Sequence, residues 1–391
     1  MSASDLTARV VHLNSRLRGG GTDNQCLALA RGLTERSWTV EVAGPTDAPL
    51  SYETQKLPFY ALPRFRPLQI LSLAGVLRNT RARIIHAHHG DDYWTALLAA
   101  SLVTPRPIVV FSRHLAKSPR AQASRRHLFV RADAVIAVSG FVAHVLLQGH
   151  DDPASPVPER HHRLPCRIDP SKIHVIHTGI ATDRFRPREA AFTADARRGL
   201  NLGDKEFIFG VVGGFDLPVG KGQRIFLKAS QEVMRRLPNA RFLLAGSGNM
   251  DAILRDDIRH LGLEERARLV GQQPDPVSLH HALDCLVHPQ IATEAFPSVV
   301  LEAHACGRPV IASELDGIPE AWAIGGMGHL VSAGAAGELA RAMIRQAESP
   351  APSATEQAEA HTRVQAQASL PVQAERVGDL YRRLMAGRGR P

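Results

Sequence analysis

Short apolar runs recur along the chain, separated by amphipathic stretches. Val10–Leu13, Thr39–Ala43, Arg83–Ala87, Ile108–Phe111 and Ala134–Val138 are too short for helices and are predicted as buried strands. Between them, Asp23–Glu35, Leu68–Arg78 and Tyr93–Leu102 carry apolar residues at helical spacing, with Leu27, Leu29, Ala30 and Leu33 inward in the first. The second half repeats the rhythm with strands at Phe207–Val212 and Phe242–Ala245, a strand end at Leu269–Val270, and an apolar run that Pro289 stops. A helix from about Ser298 to Ala305 follows Pro297 and ends at Gly307, and Pro309–Ala312 is a short buried strand. An Ala-rich helix over Ala335–Gln346, a Ser/Pro/Ala linker over Glu348–Thr355 and an amphipathic helix over Val372–Leu384 close the chain. Strands alternating with helices predict an α/β protein with parallel, doubly wound sheets.

Composition changes this picture in three ways. The 391 residues, 44% of them apolar, suffice for two domains with full cores. No apolar run approaches the length of a membrane span, and the N-terminus enters a strand pattern without a charged-then-apolar leader, so a cytoplasmic protein is expected. Cys26, Cys166, Cys285 and Cys306 are widely spaced with no C-x-x-C pair, which fits buried thiols in a reducing compartment.

Charge is unevenly placed. Residues 1 to 185 hold 23 Lys+Arg against 14 Asp+Glu, whereas residues 186 to 391 hold 24 of each. The densest cluster is Arg113, Lys117, Arg120, Arg125, Arg126 and Arg131. Such a face suits anionic lipid, which would make the protein peripheral on the inner membrane face, or a phosphorylated glycan; a plain solvated surface is the alternative. Without interleaved aromatics or a recognisable module, nucleic acid is not expected as a partner.

The chemistry concentrates between Val287 and Glu320. Glu294 precedes the helix and Glu302 lies eight positions later, so both can face the crevice at the strand ends where open α/β sheets bind ligands. Each carboxylate can accept two hydroxyl donors, as a sugar or ribose diol offers. The amides near Phe296 to Val299, at the helix start, favour an anion. Elsewhere Lys221 is a point charge suited to a diphosphate, and Gly19-Gly20-Gly21 is either a flexible turn or a loop that lets a ligand approach the backbone. His88 and His114 sit at strand ends, where an imidazole can exchange a proton near neutral pH. A zinc site is not expected from His86, His88 and His89, because alternate side chains diverge on an extended segment.

The segment EAFPSVVLEAHACGRPVIAS resembles the E-x7-E region of the family-4 retaining glycosyltransferases of the GT-B fold. His86-Ala87-His88 resembles that family's H-A-H segment, Phe111-Ser112-Arg113-His114 its strand end, and Ile173 to Phe185 its I-x-N-G-I-D-x-x-x-F passage into a second domain, with His177 and Ala181 as departures. The resemblance implies two Rossmann-like domains facing across a cleft. Residues 1–185 would bind the acceptor and 186–371 the donor, with the helix 372–385 packing back on the first. It implies transfer of a sugar, with retention and without a metal or other cofactor, from a nucleotide-diphosphate sugar to a glycan or lipid-linked acceptor; the compartment and the basic charge add the expectation of cell-envelope glycan assembly, such as lipopolysaccharide. It implies His114 and Glu294 at the reacting centre, with His88 and Arg113 on the acceptor side. Gly20, Gly21, Lys221, Gly271, Ala295, Phe296, Pro297, Ser298 and Glu302 would hold the donor. Relatives carry an Arg shortly before the Lys; here that position is Gly214, and Arg224 is the candidate substitute. A nucleotide-sugar epimerase and a non-catalytic nucleotide-sugar binding protein are the alternatives. The proline-rich stretch from Gly149 to Lys172 is expected to be a surface excursion.

Overall fold

The structure is a computed structural model that describes residues 8–17, 20–47, 57–150 and 163–388. The chain divides into two compact units. The first holds the described residues up to Gly179 and the chain from Leu370 onward; the second runs from Ile180 to Ser369. The sequence placed the boundaries at 185/186 and 371/372. The difference at the first has a physical cause: Ile180 pairs with Ser369, and Phe185 packs its ring edge-on against His280, so residues 180–185 belong to the second unit.

In the first unit the order is β1 (Arg9–Leu13), α1 (Gly21–Thr34), β2 (Thr39–Pro45), β3 (Phe59–Leu62), α2 (Arg66–Thr80), β4 (Ile84–Ala87), α3 (Tyr93–Ser101), β5 (Ile108–Arg113), α4 (Gln122–Arg131), β6 (Ala134–Ala137), α5 (Gly140–Gln148) and β7 (Ile173–Val175). All pairings are parallel, in the spatial order β3-β2-β1-β4-β5-β6-β7. The inner strands are buried along almost their whole length because helices cover both faces, and most of their residues are apolar. Ser139 caps α5, its Oγ accepting from the Val142 amide at 3.2 Å. Of the proline-rich stretch, residues 151–162 lie outside the described residues.

The second unit contains α6 (Ala190–Gly199), β8 (Phe207–Val212), α7 (Gln223–Arg236), β9 (Ala240–Ala245), α8 (Asp251–His260), β10 (Ala267–Gly271), α9 (Pro276–Ala282), β11 (Cys285–His288), α10 (Ser298–Ala305), β12 (Val310–Glu314), α11 (Ile318–Gly325), β13 (Gly328–Ser332), α12 (Ala336–Glu348) and α13 (Ala354–Ala368). Its sheet is also parallel, ordered β10-β9-β8-β11-β12-β13. Phe209, Phe226 and Phe242 anchor the core beneath it, with Phe226 edge-on to Phe242 at 5.9 Å.

The predicted linker over Glu348–Thr355 is shorter than expected, because α13 begins at Ala354. Ser353 and Glu356 form a reciprocal capping box that starts it. A last helix, α14 (Leu370–Arg388), returns to the first unit. There Ala374, Val377, Leu380 and Tyr381 join the core built by Leu27, Ala30 and Leu33 of α1. Among the described residues no helix is long and apolar enough to cross a membrane.

Both sheets reverse strand order at one place, β1/β4 in the first and β8/β11 in the second. A doubly wound sheet opens a crevice at such a point, outside the carboxyl ends of its strands. The candidate residues cluster at these two positions.

Candidate functional site

At the β8/β11 reversal, Lys221 lies in the loop after β8, and His288 and Glu294 follow from β11. The two loops touch through backbone. Gly222 has φ +84°, and a Cβ there would stand 1.9 Å from the Pro289 carbonyl oxygen, so only glycine permits the approach. Gln223 fastens the loop from inside: its Oε1 accepts from the Lys221 amide at 2.7 Å, and its Nε2 donates to the Gly214 carbonyl at 3.3 Å.

This brings Lys221 Nζ to 2.5 Å from Glu294 Oε2, with His288 Nε2 3.8 Å from the same oxygen. Burial pushes the Glu294 carboxyl up. The Lys221 ammonium, His288 and hydrogen bonds from Lys221 and Gln290 outweigh it and hold the group below the ordinary carboxylate range. Glu294 is therefore ionised at neutral pH and acts only as an acceptor. Asp316, in the turn after β12, sets its backbone, accepting from the Thr293 hydroxyl and the Glu294 amide at 3.1 Å each.

Behind this group α10 starts at Ser298, with Pro297 as its N-cap residue and Ala295 to Pro297 buried. Glu302 projects from its second turn, 3.3 Å from His280 Nε2 of α9, with 20% of its side chain exposed. The end of α10 is supported by a helix that the sequence pattern did not predict: His361 of α13 donates through Nδ1 to the Ala305 carbonyl at 3.1 Å. Gly271 ends β10 at φ +69°, and its carbonyl accepts from the Gly246 amide at 2.9 Å.

Arg224 is a correction. Its guanidinium makes a two-pronged pair with Asp257 of α8, at 2.7 and 3.1 Å, on an exposed face. Its charge is already engaged by Asp257. At Gly214 the fold leaves room for a side chain, since a Cβ there would meet nothing closer than the Ser247 carbonyl oxygen at 3.6 Å.

At the β1/β4 reversal, Gly20 is the N-cap residue of α1 and Gly21 its first residue; Gly19 lies outside the described residues. A Cβ on Gly21 would meet nothing within 4 Å, and one on Gly20 only Asp23 Oδ2 at 3.8 Å, so packing within the chain does not demand glycine. Buried Asp23 accepts from Asn14 Nδ2 at 3.0 Å and from His89 Nε2 at 2.9 Å, which ties α1 to the loop after β4.

The acceptor-side candidates need revision. His88 is 2% exposed and lies 3.0 Å, ring nitrogen to ring nitrogen, from His12 Nδ1. Arg113 is buried too, its Nε donating to the Lys117 carbonyl at 3.1 Å, so it leaves the basic surface to Arg120, Arg126 and Arg131. His114 is half-buried and its ring stacks 5.8 Å from that of His88. Burial first, then the charges of His89 and Arg113, bring its pKa down to about 3, which favours the neutral ring.

The divergence expected of His86 and His88 is overturned as well. Residues two apart share a face of a strand, and these rings stack at 4.3 Å, while His89 turns to Asp23. Sequence reading did not single out His12, Asn14, Asp23, His280, His288, Gln290 or Asp316. Position at or just beyond the end of a predicted strand marked His12, Asn14, His288, Gln290 and Asp316, whereas Asp23 and His280 lie on helices and carried no such signal.

Residues 206–349 match the family model for glycosyl transferases group 1, and residues 19–159 match that for Glycosyltransferase Family 4. The D-inositol 3-phosphate glycosyltransferase of Mycobacterium marinum is 28% identical over 302 residues, covering 70% of this chain and 59% of that protein. A glycosyltransferase from Rickettsia africae superposes with a TM-score of 0.82 at 17% identity, over 97% of this chain and 99% of that one. Anabaena HepE in complex with UDP does so at 0.78 and 21% identity, over 95% and 99%. The likeness to the solved structures is one of fold. Against the Mycobacterium marinum protein and that of Mycobacterium sp. KMS the chain spans 59% and 65% of their length.

Proposed function

We propose that this chain, which belongs to the family-4 glycosyltransferases with the GT-B fold, moves a sugar from a nucleotide-diphosphate donor to a glycan or lipid-linked acceptor, with retention at the anomeric carbon. The observation that carries the proposal is the Lys221–Glu294 pair at the β8/β11 reversal, beside the first turn of α10 and with Glu302 on the same helix. A nucleotide-sugar has three parts to bind: a diol-bearing ribose, a diphosphate and a hexose. An ammonium has three donors, so Lys221 can keep one on Glu294 and turn the others to phosphate oxygens. The opening amides of α10 lack intrahelical acceptors and favour negative charge. Glu294, held ionised, accepts from hexose hydroxyls, and Glu302 accepts from the ribose diol.

Stabilising the leaving diphosphate is the energetic core of such a transfer. The first unit takes the acceptor, to which His114 offers a hydrogen-bonding imidazole. Anabaena HepE is described with UDP, with UDP and glucose, and with UDP-glucose, which makes UDP-glucose the first donor to try. The mycobacterial relatives are named for D-inositol 3-phosphate, and the positive N-terminal half suits an acceptor with a phosphate. Assembly of an envelope glycan such as lipopolysaccharide, on the inner membrane face, is the setting we assign.

One observation favours a second reading, binding without transfer: Gly214 provides no cation and Arg224 is held by Asp257. The test is to incubate the protein with UDP-, GDP- and ADP-sugars together with inositol phosphates or envelope lipid extract, and to read the anomeric configuration of any product by NMR. A product with the donor's configuration supports the proposal. Donor binding with no product from any mixture favours the second reading, and an inverted product removes retention.

A further inference from the structure

Three histidines meet in the interior of the first unit with no role in the chemistry above. Parallel pairing of β1 with β4 sets His12 directly opposite His86, and His88 follows two positions later on the same face. The rings lie 5.0 Å apart for His12 and His86, 5.0 Å for His12 and His88, and 4.3 Å for His86 and His88. One ring nitrogen from each residue lies within 4.8 Å of those from the other two. All three side chains are 2% exposed or less.

A hydrogen bond between His12 Nδ1 and His88 Nε2, 3.0 Å apart, accounts for only part of this arrangement. It leaves His12 Nε2 and His88 Nδ1 buried without a partner. Folded proteins rarely leave such atoms unsatisfied, and two on adjoining rings point to a missing partner.

We propose that His12, His86 and His88 form a three-histidine site for one divalent ion of the zinc class, resident in the first unit. An all-imidazole set selects zinc, cobalt, nickel or copper over magnesium or calcium, which take oxygen ligands. His86 already has outer partners, Tyr381 Oη at 2.6 Å from Nδ1 and Ser112 Oγ at 2.8 Å from Nε2; with one nitrogen on the ion, the other keeps its partner and orients the ring. The ion fastens the carboxyl ends of β1 and β4, and through Tyr381 it links α14 to them.

The test uses the full chain without a histidine tag, purified without chelator, loaded with Zn²⁺ or Co²⁺ and desalted. The expected result is about one ion retained per chain by elemental analysis, visible d–d bands in the Co²⁺ form, and a raised unfolding temperature. His12→Asn and His88→Gln should each weaken binding at least about tenfold, while His144→Asn, on the exposed side of α5, should not. If the ligand variants do not fold, the Co²⁺ spectrum of the unaltered protein decides. Substoichiometric metal with no Co²⁺ bands in the folded protein overturns the proposal and makes a buried water the missing partner. Retention unchanged in folded His12→Asn and His88→Gln overturns it too.

Discussion

Glu294 has a cation at 2.5 Å and a buried imidazole at 3.8 Å, so its loop geometry and its charge depend on the same neighbours. Three substitutions separate the roles of the carboxylate on α10, the missing cation and the loop contact. Glu302→Gln should weaken donor binding by about 1–3 kcal/mol, the scale of a hydrogen bond to a charged group; calorimetry with the nucleoside diphosphate that shows unchanged affinity would remove Glu302 from the ribose. Gly214→Arg tests the missing cation. There is room for the side chain, and added charge on the diphosphate should raise the rate of nucleotide release. A folded Gly214→Arg variant with an unchanged rate would show that Lys221 and α10 suffice alone. Gly222→Ala should behave differently, because its Cβ would be driven into the Pro289 carbonyl. A loss of at least about 2 kcal/mol in urea unfolding is expected, and a neutral effect would contradict the close approach of the two loops.

At the scale of elements, the second unit holds α10 between β12, α11 and α13. His304 is the buried contact on that helix, donating through Nε2 to the Met327 carbonyl at 3.0 Å and set edge-on to Trp322. Burial is the largest cause that lowers its pKa to about 4; the Met327 carbonyl opposes this and Arg363 adds to it. As pH falls below about 6.5 the unfolded chain binds a proton that the folded chain refuses, so stability declines from there and levels off below about 4. The loss should reach about 3 kcal/mol and should shrink in His304→Gln; equal acid sensitivity in the two proteins would assign it to other groups. Much of this layer was legible in the sequence. Strands such as Phe207–Val212 are apolar on both faces, and α10 is bracketed by Pro297 and Gly307. Helix α13 was not legible, because its inward residues are Ala360, Val364 and Ala368, a stripe without large side chains in an Ala/Gln/Glu background. The histidine group was hidden for another reason: His12 and His86 are 74 positions apart, and only strand register makes them neighbours. Arg224 was misread because its partner, Asp257, arrives from a separate helix.

For the whole molecule, the charge asymmetry has a physical consequence once the structure sorts the arginines. Arg113 is buried, whereas Arg120, Arg126 and Arg131 stand exposed near Leu115 and Val130, which are 52% and 40% exposed. Such a face should hold the protein on vesicles containing anionic lipid at low salt and release it as the ionic strength passes about 0.1 M, where the Debye length is about 10 Å. Flotation that is absent at low salt, or indifferent to salt, would leave the phosphorylated acceptor as the reason for the charge. In the other unit, the role proposed for Lys221, Glu294 and Glu302 at the β8/β11 reversal is to bind a nucleotide-sugar and to stabilise its departing diphosphate. Its most direct test is the release of free nucleoside diphosphate from UDP-, GDP- and ADP-sugars, with acceptor extract present, by the unaltered protein and by Glu294→Ala and Lys221→Ala. The account predicts acceptor-dependent release from one donor class, lost in both variants. Release that persists in both, or no release from any donor, would contradict it.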